Sequence, residues 1–412
     1  MNSTKYRAMI CDDNQQRIAE WTSQVRKHLG DDWEVESVTE KRLAAMVTAL
    51  SEHEQRVRKG DHARTASEGE ALSGLDDAQL VILDSDLSPN EHEFDSLDPG
   101  DAKDVVATLR NQYGDQIARQ IRSYTTAGFI VVANMFTTQQ DDFVFDLTMV
   151  QDAGTFADLH IKEAELDDES LWADVPRSQD RFNPWSRPLL GKDFESVLRS
   201  EIAITDIHAK VLETLGLNAD EFGTQQLDVF GAVDPTDATF EDLAYSDLGF
   251  KYKDPIGHDL ESVKRMAASV VRRWLARAVI ISQDVLCDAP HLVSRFPEYL
   301  GEGAADIAVW NAAADKGAAD PLPLAAIHEA TEVAPFIHRP VFFADRARRG
   351  LNDLPQRDTP HLRAVFAEDA AVFLSRTDAK EFESNVPGPY ARRYVVPIDD
   401  VAYDPFTRLL LR

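Results

Sequence analysis

Cysteine is almost missing: Cys11 and Cys287 are the only two in 412 residues. So few, so far apart, supply neither a disulfide framework nor a cysteine zinc site, and both read as ordinary buried thiols. Long apolar runs are missing too. The longest, such as FIVVANMF at 129–136, fall far short of a bilayer span. The opening MNSTKYRAMICDD has no apolar h-region, so the chain is expected in the cytoplasm. Basic residues are in deficit, 43 Lys and Arg against 72 Asp and Glu, for a formal net charge of −29. Such a charge repels nucleic acid and anionic membranes at long range, and a basic protein partner suits it better. Internal repeats and low-complexity tracts are absent as well.

What is present is material for packed cores: 43% of residues are hydrophobic and 28% charged. That excludes wholesale disorder, and the length implies two domains. Short apolar runs rich in β-formers occur at 6–12 (YRAMICD), 79–84 (QLVILD), 128–136 (GFIVVANMF) and 156–162 (FADLHIK), and WEVESV at 33–38 alternates like a strand. Helical periods lie between them. Asn14 to Leu29 carries Ile18, Trp21, Val25 and Leu29 on one stripe and ends at Gly30; KRLAAMVTALSEHEQRV and DQIARQIRSYTTA repeat the pattern. Alternating strands and helices predict a doubly wound parallel α/β sheet over residues 1–165. Two polar stretches, 58–76 and the acidic 88–104, read as surface insertions. Prolines 176, 184 and 188 break 166–193 into a linker, and 194–412 reads as a separate α+β domain.

In an open parallel sheet, sites form at the C-terminal ends of the strands. Asp12 and Asp13 end the first strand, Asp84 the third and Lys162 the last. If these converge, a hard divalent cation must neutralise the acids, and Mg²⁺ suits oxygen ligands best. A carboxylate so held, facing a lysine, is equipped to attack a phosphoryl group.

RAMICDDNQQR, LVILDSDL, GDQIARQIRSYTTAGFIVV and ADLHIK, in that order, resemble the receiver domain of two-component response regulators. The resemblance covers about residues 5–165. It implies a five-stranded flavodoxin-like fold in which Asp84 accepts a phosphoryl group and Asp12, Asp13, Asp84 and the backbone carbonyl of Asp86 hold Mg²⁺. Lys162 would contact the phosphoryl oxygens. It further implies a histidine kinase or phosphotransfer protein as donor, a bacterial setting and control of a C-terminal effector or protein-binding domain, with homodimerisation left open. The pattern also departs from the family. Asn134 stands at the usual Thr or Ser position, Leu159 at the aromatic switch, and Glu163 where proline usually follows the lysine. Those departures leave a rival, a receiver-like adaptor that is never phosphorylated and whose acidic 88–104 segment binds a basic partner.

The C-terminal half offers weaker signals for an enzyme. IHEATEV places His328 and Glu332 on one helix face, with His338 nearby, but lacks the second histidine of the zinc-protease motif. Cys287, Asp288 and His291 are close in sequence, which is weak evidence for a nucleophile and base. The stretch 259–282, opening on Asp259 as N-cap, carries Lys264, Arg265, Arg272, Arg273 and Arg277 around an apolar stripe of Val263, Ala267, Val270 and Trp274. Packing of the stripe, with the arginines paired to carboxylates, is expected over a DNA contact.

Overall fold

A computed structural model describes residues 6–61, 63–88, 99–134, 156–167, 169–172, 199–250, 260–296, 330–337, 341–350, 364–367, 372–383 and 392–397. The N-terminal unit is a five-stranded sheet, all parallel, in the order β2-β1-β3-β4-β5. Its strands are β1 (Tyr6–Cys11), β2 (Trp33–Val38), β3 (Leu80–Asp84), β4 (Phe129–Asn134) and β5 (Leu159–Lys162). The three central strands are continuous apolar runs because both their faces are covered. Met9, Val81, Ile130 and Val132 pack on one face with α2 (Glu40–Arg58), α3 (Ala66–Asp76), α4 (Pro99–Leu109) and α5 (Gly114–Tyr124). Ile10, Ile82, Phe129 and Val131 pack on the other with α1 (Gln15–Leu29), where Trp21 is fully buried.

Two expectations are corrected. Residues 66–76 are the helix α3 rather than an inserted loop: Thr65 caps the Glu68 N–H while the Glu68 carboxylate accepts from the Thr65 N–H, and Leu72 and Leu75 are fully buried. Gly69 and Gly74 disguised it. The acidic 88–104 stretch turns helical at Pro99; residues 89–98 lie outside the described residues.

Packing of the first unit also continues beyond residue 165. Leu166, Leu171 and Trp172 join the α1 face, Trp172 from the short helix α6 (Glu169–Trp172), and the Trp172 indole donates to the Leu166 carbonyl at 2.9 Å. Residues 173–198 lie outside the described residues.

The second half gathers a mostly helical core around a helix at Leu260–Trp274, which runs on through a π-helical turn, Leu275–Val279. Its stripe of Val263, Ala267, Val270 and Trp274 is buried, as expected; Asp259 lies outside the described residues. A two-stranded pair, β6 (Leu286–Asp288) with β7 (Val341–Phe343), and a four-stranded sheet follow. The latter has the order β10-β11-β8-β9, built from β8 (Ala364–Ala367), β9 (Val372–Ser375), β10 (Lys380–Glu383) and β11 (Arg392–Val395).

The arginines of the Leu260–Trp274 helix and the π turn meet the N-terminal ends of β4 and β5. Arg265 donates to the Thr126 carbonyl at 3.1 Å, Arg272 lies over the Phe129 ring at 5.2 Å, and Arg277 donates to the Ala157 carbonyl at 2.6 Å. Ser269 donates to Asp158 at 3.2 Å, and Arg265 also pairs with Glu201. The basic face is therefore spent largely on contacts within the chain. Among the described residues, no helix is long and apolar enough to cross a membrane.

Candidate functional site

The register places the acids. β1 and β3 are neighbours with Cys11 opposite Leu83, so the next residues, Asp12 and Asp84, stand side by side at the C-terminal rim. This is where the strand order reverses, the usual place for a site in an open sheet. Asp13 follows, and the chain turns at once into α1, whose cap, Asn14, accepts the N–H groups of Gln16 and Arg17 at 2.9 and 3.1 Å. Two like charges at this junction thus reach the rim from a single turn.

Asp12, Asp13 and Asp84 are all buried, and each offers an oxygen within 4.8 Å of the others. One nitrogen, Arg17 Nη2, lies 2.9 Å from Asp12 Oδ1, 3.0 Å from Asp13 Oδ1 and 3.0 Å from Asp84 Oδ2. The Asn14 N–H also donates to Asp12 Oδ1 at 2.8 Å, whereas Asp12 Oδ2 meets no donor among the described residues.

The electrostatics follow from this crowding. Burial, and then the charge of Asp84, push Asp12 up to about 8. Burial raises Asp84 to about 6 against the pull of Arg17 and of backbone N–H groups at Ser85 and Asp86. Arg17 is held above its ordinary value by Asp12, Asp84 and Asp13, although burial works the other way. Three carboxylates facing one guanidinium leave an acid excess. Hard, buried oxygens with one lone acceptor are a donor set that could hold a metal ion.

Asp86 sits just past β3, exposed, its carboxylate accepting the Ser88 N–H at 3.0 Å and its backbone bridged to Tyr113. Asn134 and Lys162 are direct register partners at the C-terminal ends of β4 and β5, on the same rim as the acids. At the neighbouring departures, Leu159 packs partly buried against the α1-side core, and the Glu163 carboxylate accepts the Trp21 indole N–H at 3.1 Å. His160 is a packed residue, its Nε2 2.8 Å from Asp115 Oδ1.

Gly114 opens α5 against the back of this site. A Cβ there would lie 2.4 Å from the Asp84 carbonyl oxygen and 3.2 Å from Ser85 Cα, backbone atoms that cannot swing aside. Gly114→Ala is therefore expected to displace the Asp84 loop and to lower Tm by several degrees, in line with an overpacking cost of about 1–3 kcal/mol. A thermal melt checks it; an unchanged Tm would mean that the loop has slack.

Of the C-terminal signals, only some fall among the described residues. Cys287 is fully buried on β6 with its Sγ 3.6 Å from the Phe342 carbonyl. His291 meets the Phe366 ring edge-on at 5.4 Å, and Glu332 is exposed. His328 and His338 lie outside the described residues.

Sequence reasoning missed Arg17. Its signal was a basic residue four positions after Asp13, one helical turn on, where its side chain folds back over the strand ends.

Comparison with protein-family models, curated proteins and solved structures returned no match for this chain. The architecture by itself, a five-stranded parallel sheet with a buried aspartate cluster, is compatible with a receiver-like fold.

Proposed function

We propose that the N-terminal unit is a receiver-like signalling domain in which Asp84 accepts a phosphoryl group, and that this controls the C-terminal domain or its protein partner. The observation that carries the reading is the buried triad of Asp12, Asp13 and Asp84 at the strand-order reversal of an all-parallel sheet. Asp12, Asp13, Asp84 and the Asp86 carbonyl would hold Mg²⁺, which would screen the charge gathering between an anionic donor and an anionic pocket. Lys162, on the same rim, is the proposed contact for the phosphoryl oxygens, and Asn134 occupies the position beside it. A histidine kinase or phosphotransfer protein is the proposed donor.

The test is incubation with Mg²⁺ and a small acyl-phosphate donor, read by intact mass. Wild type is expected to gain one phosphoryl group and Asp84→Asn none; equal gain by both would place the chemistry elsewhere.

A second reading, an adaptor whose receiver-like domain is never phosphorylated, is favoured by one observation: the Arg17 guanidinium already bridges all three acids. In that reading neither protein gains mass, and Asp84 is dispensable for partner binding.

A further inference from the structure

Arg17 Nη2 touches three carboxylates that belong to two different strand ends, at nearly equal distances of 2.9, 3.0 and 3.0 Å. A surface ion pair does not have this form. The nitrogen sits where a cation shared by the three acids would sit, and a Mg²⁺ ion drawing the same oxygens to about 2.1 Å would occupy the space that Nη2 fills. Two positive groups cannot share that point. The Asp12 carboxylate, fully buried, keeps its Oδ2 without a donor among the described residues, so the guanidinium does not satisfy the cluster and one acceptor remains for a further ligand.

We propose that Arg17 is a built-in counter-ion that competes with the divalent cation for this site, so that the domain exists in two exclusive states. The inference rests on the reading of the triad as a cation site. With Arg17 seated, the acids are bridged and Asp84 Oδ2 is capped by the guanidinium. With the cation bound, Arg17 is expelled and Asp84 is released from it. The Arg17 side chain is 17% exposed and belongs to the first turn of α1, at the edge of the site. The competition makes the apparent cation affinity weaker than the intrinsic one by the fraction of molecules in which Arg17 is out. A seat occupied nine times in ten corresponds to about a tenfold loss.

The experiment titrates the full-length protein with Mn²⁺ alone, following free Mn²⁺ by electron paramagnetic resonance, for wild type, Arg17→Ala, Arg17→Gln and Asp12→Asn. Arg17→Ala and Arg17→Gln are expected to bind about tenfold tighter than wild type or better, and Asp12→Asn weakly or not at all. Thermal melts accompany it. Without metal the two Arg17 variants are expected to melt below wild type, and Mg²⁺ is expected to raise their Tm more than that of wild type. A variant that folds only with Mg²⁺ present would support the proposal equally. In wild type, Mg²⁺ is also expected to increase modification of Arg17 by an arginine-selective dicarbonyl.

Equal Mn²⁺ affinity in wild type and both Arg17 variants, with binding lost in Asp12→Asn, would overturn the competition while leaving the cation site standing. No binding by any of the four would overturn both.

Discussion

Asp158→Ala is expected to destabilise the protein by about 3–5 kcal/mol, the cost of stranding buried charge when one partner of an interior ion pair is removed. Asp158 and Arg122 have side chains only 1% and 0% exposed. Asp158 Oδ2 binds the Arg122 guanidinium and accepts the Ile130 N–H at 2.8 Å, while Oδ1 accepts from Ser269 at 3.2 Å and faces Arg273 Nε at 4.0 Å. One carboxylate thus answers two buried guanidiniums from different halves of the chain. Burial, and then the neighbouring charge of Arg122, push Arg273 down to about 9. Chemical denaturation checks the prediction; a loss below about 1 kcal/mol would mean that water or another acid takes over the role. Ser269→Ala, which removes one contact from the second half alone, is expected to cost about 1 kcal/mol.

Trp21→Ala is expected to cost about 3–5 kcal/mol, because a fully buried indole leaves a cavity that strands on a rigid sheet cannot close. Trp21 is fully buried between α1 and the sheet, among Val25, Ile10 and Ile161, and its N–H is satisfied by Glu163. Trp21→Phe, which keeps most of the volume but strands the Glu163 carboxylate, is expected to fall between the two. Denaturant midpoints for the three proteins, at unchanged slope, check the order.

The candidate site and the contact between the two halves lie at opposite rims of the sheet. The acids stand at the C-terminal ends of β1 and β3, whereas Thr126, Phe129, Ala157 and Asp158 lie at or just before the N-terminal ends of β4 and β5. The five rises along β4 separate the rims by about 16 Å. One strand joins the two rims: β5 starts beside Asp158 and ends on Lys162, whose register partner is Asn134.

The central strands were legible because parallel strands buried on both faces must be apolar, and β2 because it alternates; four of the five runs match both observed limits within two residues. The helix α3 was not legible from its period, since Gly69, Gly74 and two serines dilute its apolar side, yet Thr65 and Glu68 marked its start. Asp12, Asp13 and Asp84 could be named from strand ends alone. That they meet depended on β1 and β3 being neighbours, which no local pattern encodes. Arg122 hid for a related reason: a charged residue on the buried side of an amphipathic helix has meaning only once Asp158, 36 positions on, is beside it. The arginines after residue 264 were read as a basic face in search of carboxylates; among the described residues Arg265 meets Glu201 and Arg273 faces Asp158, and backbone carbonyls and the Phe129 ring take further contacts.

The measurement that bears most directly on the proposal that Asp84 accepts a phosphoryl group converts that modification into a stable mark. After exposure to an acyl-phosphate donor with Mg²⁺ or with a chelator, borohydride reduces an aspartyl phosphate to homoserine, and peptide mapping locates it. The account predicts homoserine at position 84 with Mg²⁺ and aspartate there with the chelator. Aspartate at 84 under both conditions, with a cognate phosphodonor protein also failing to mark it, would contradict the account.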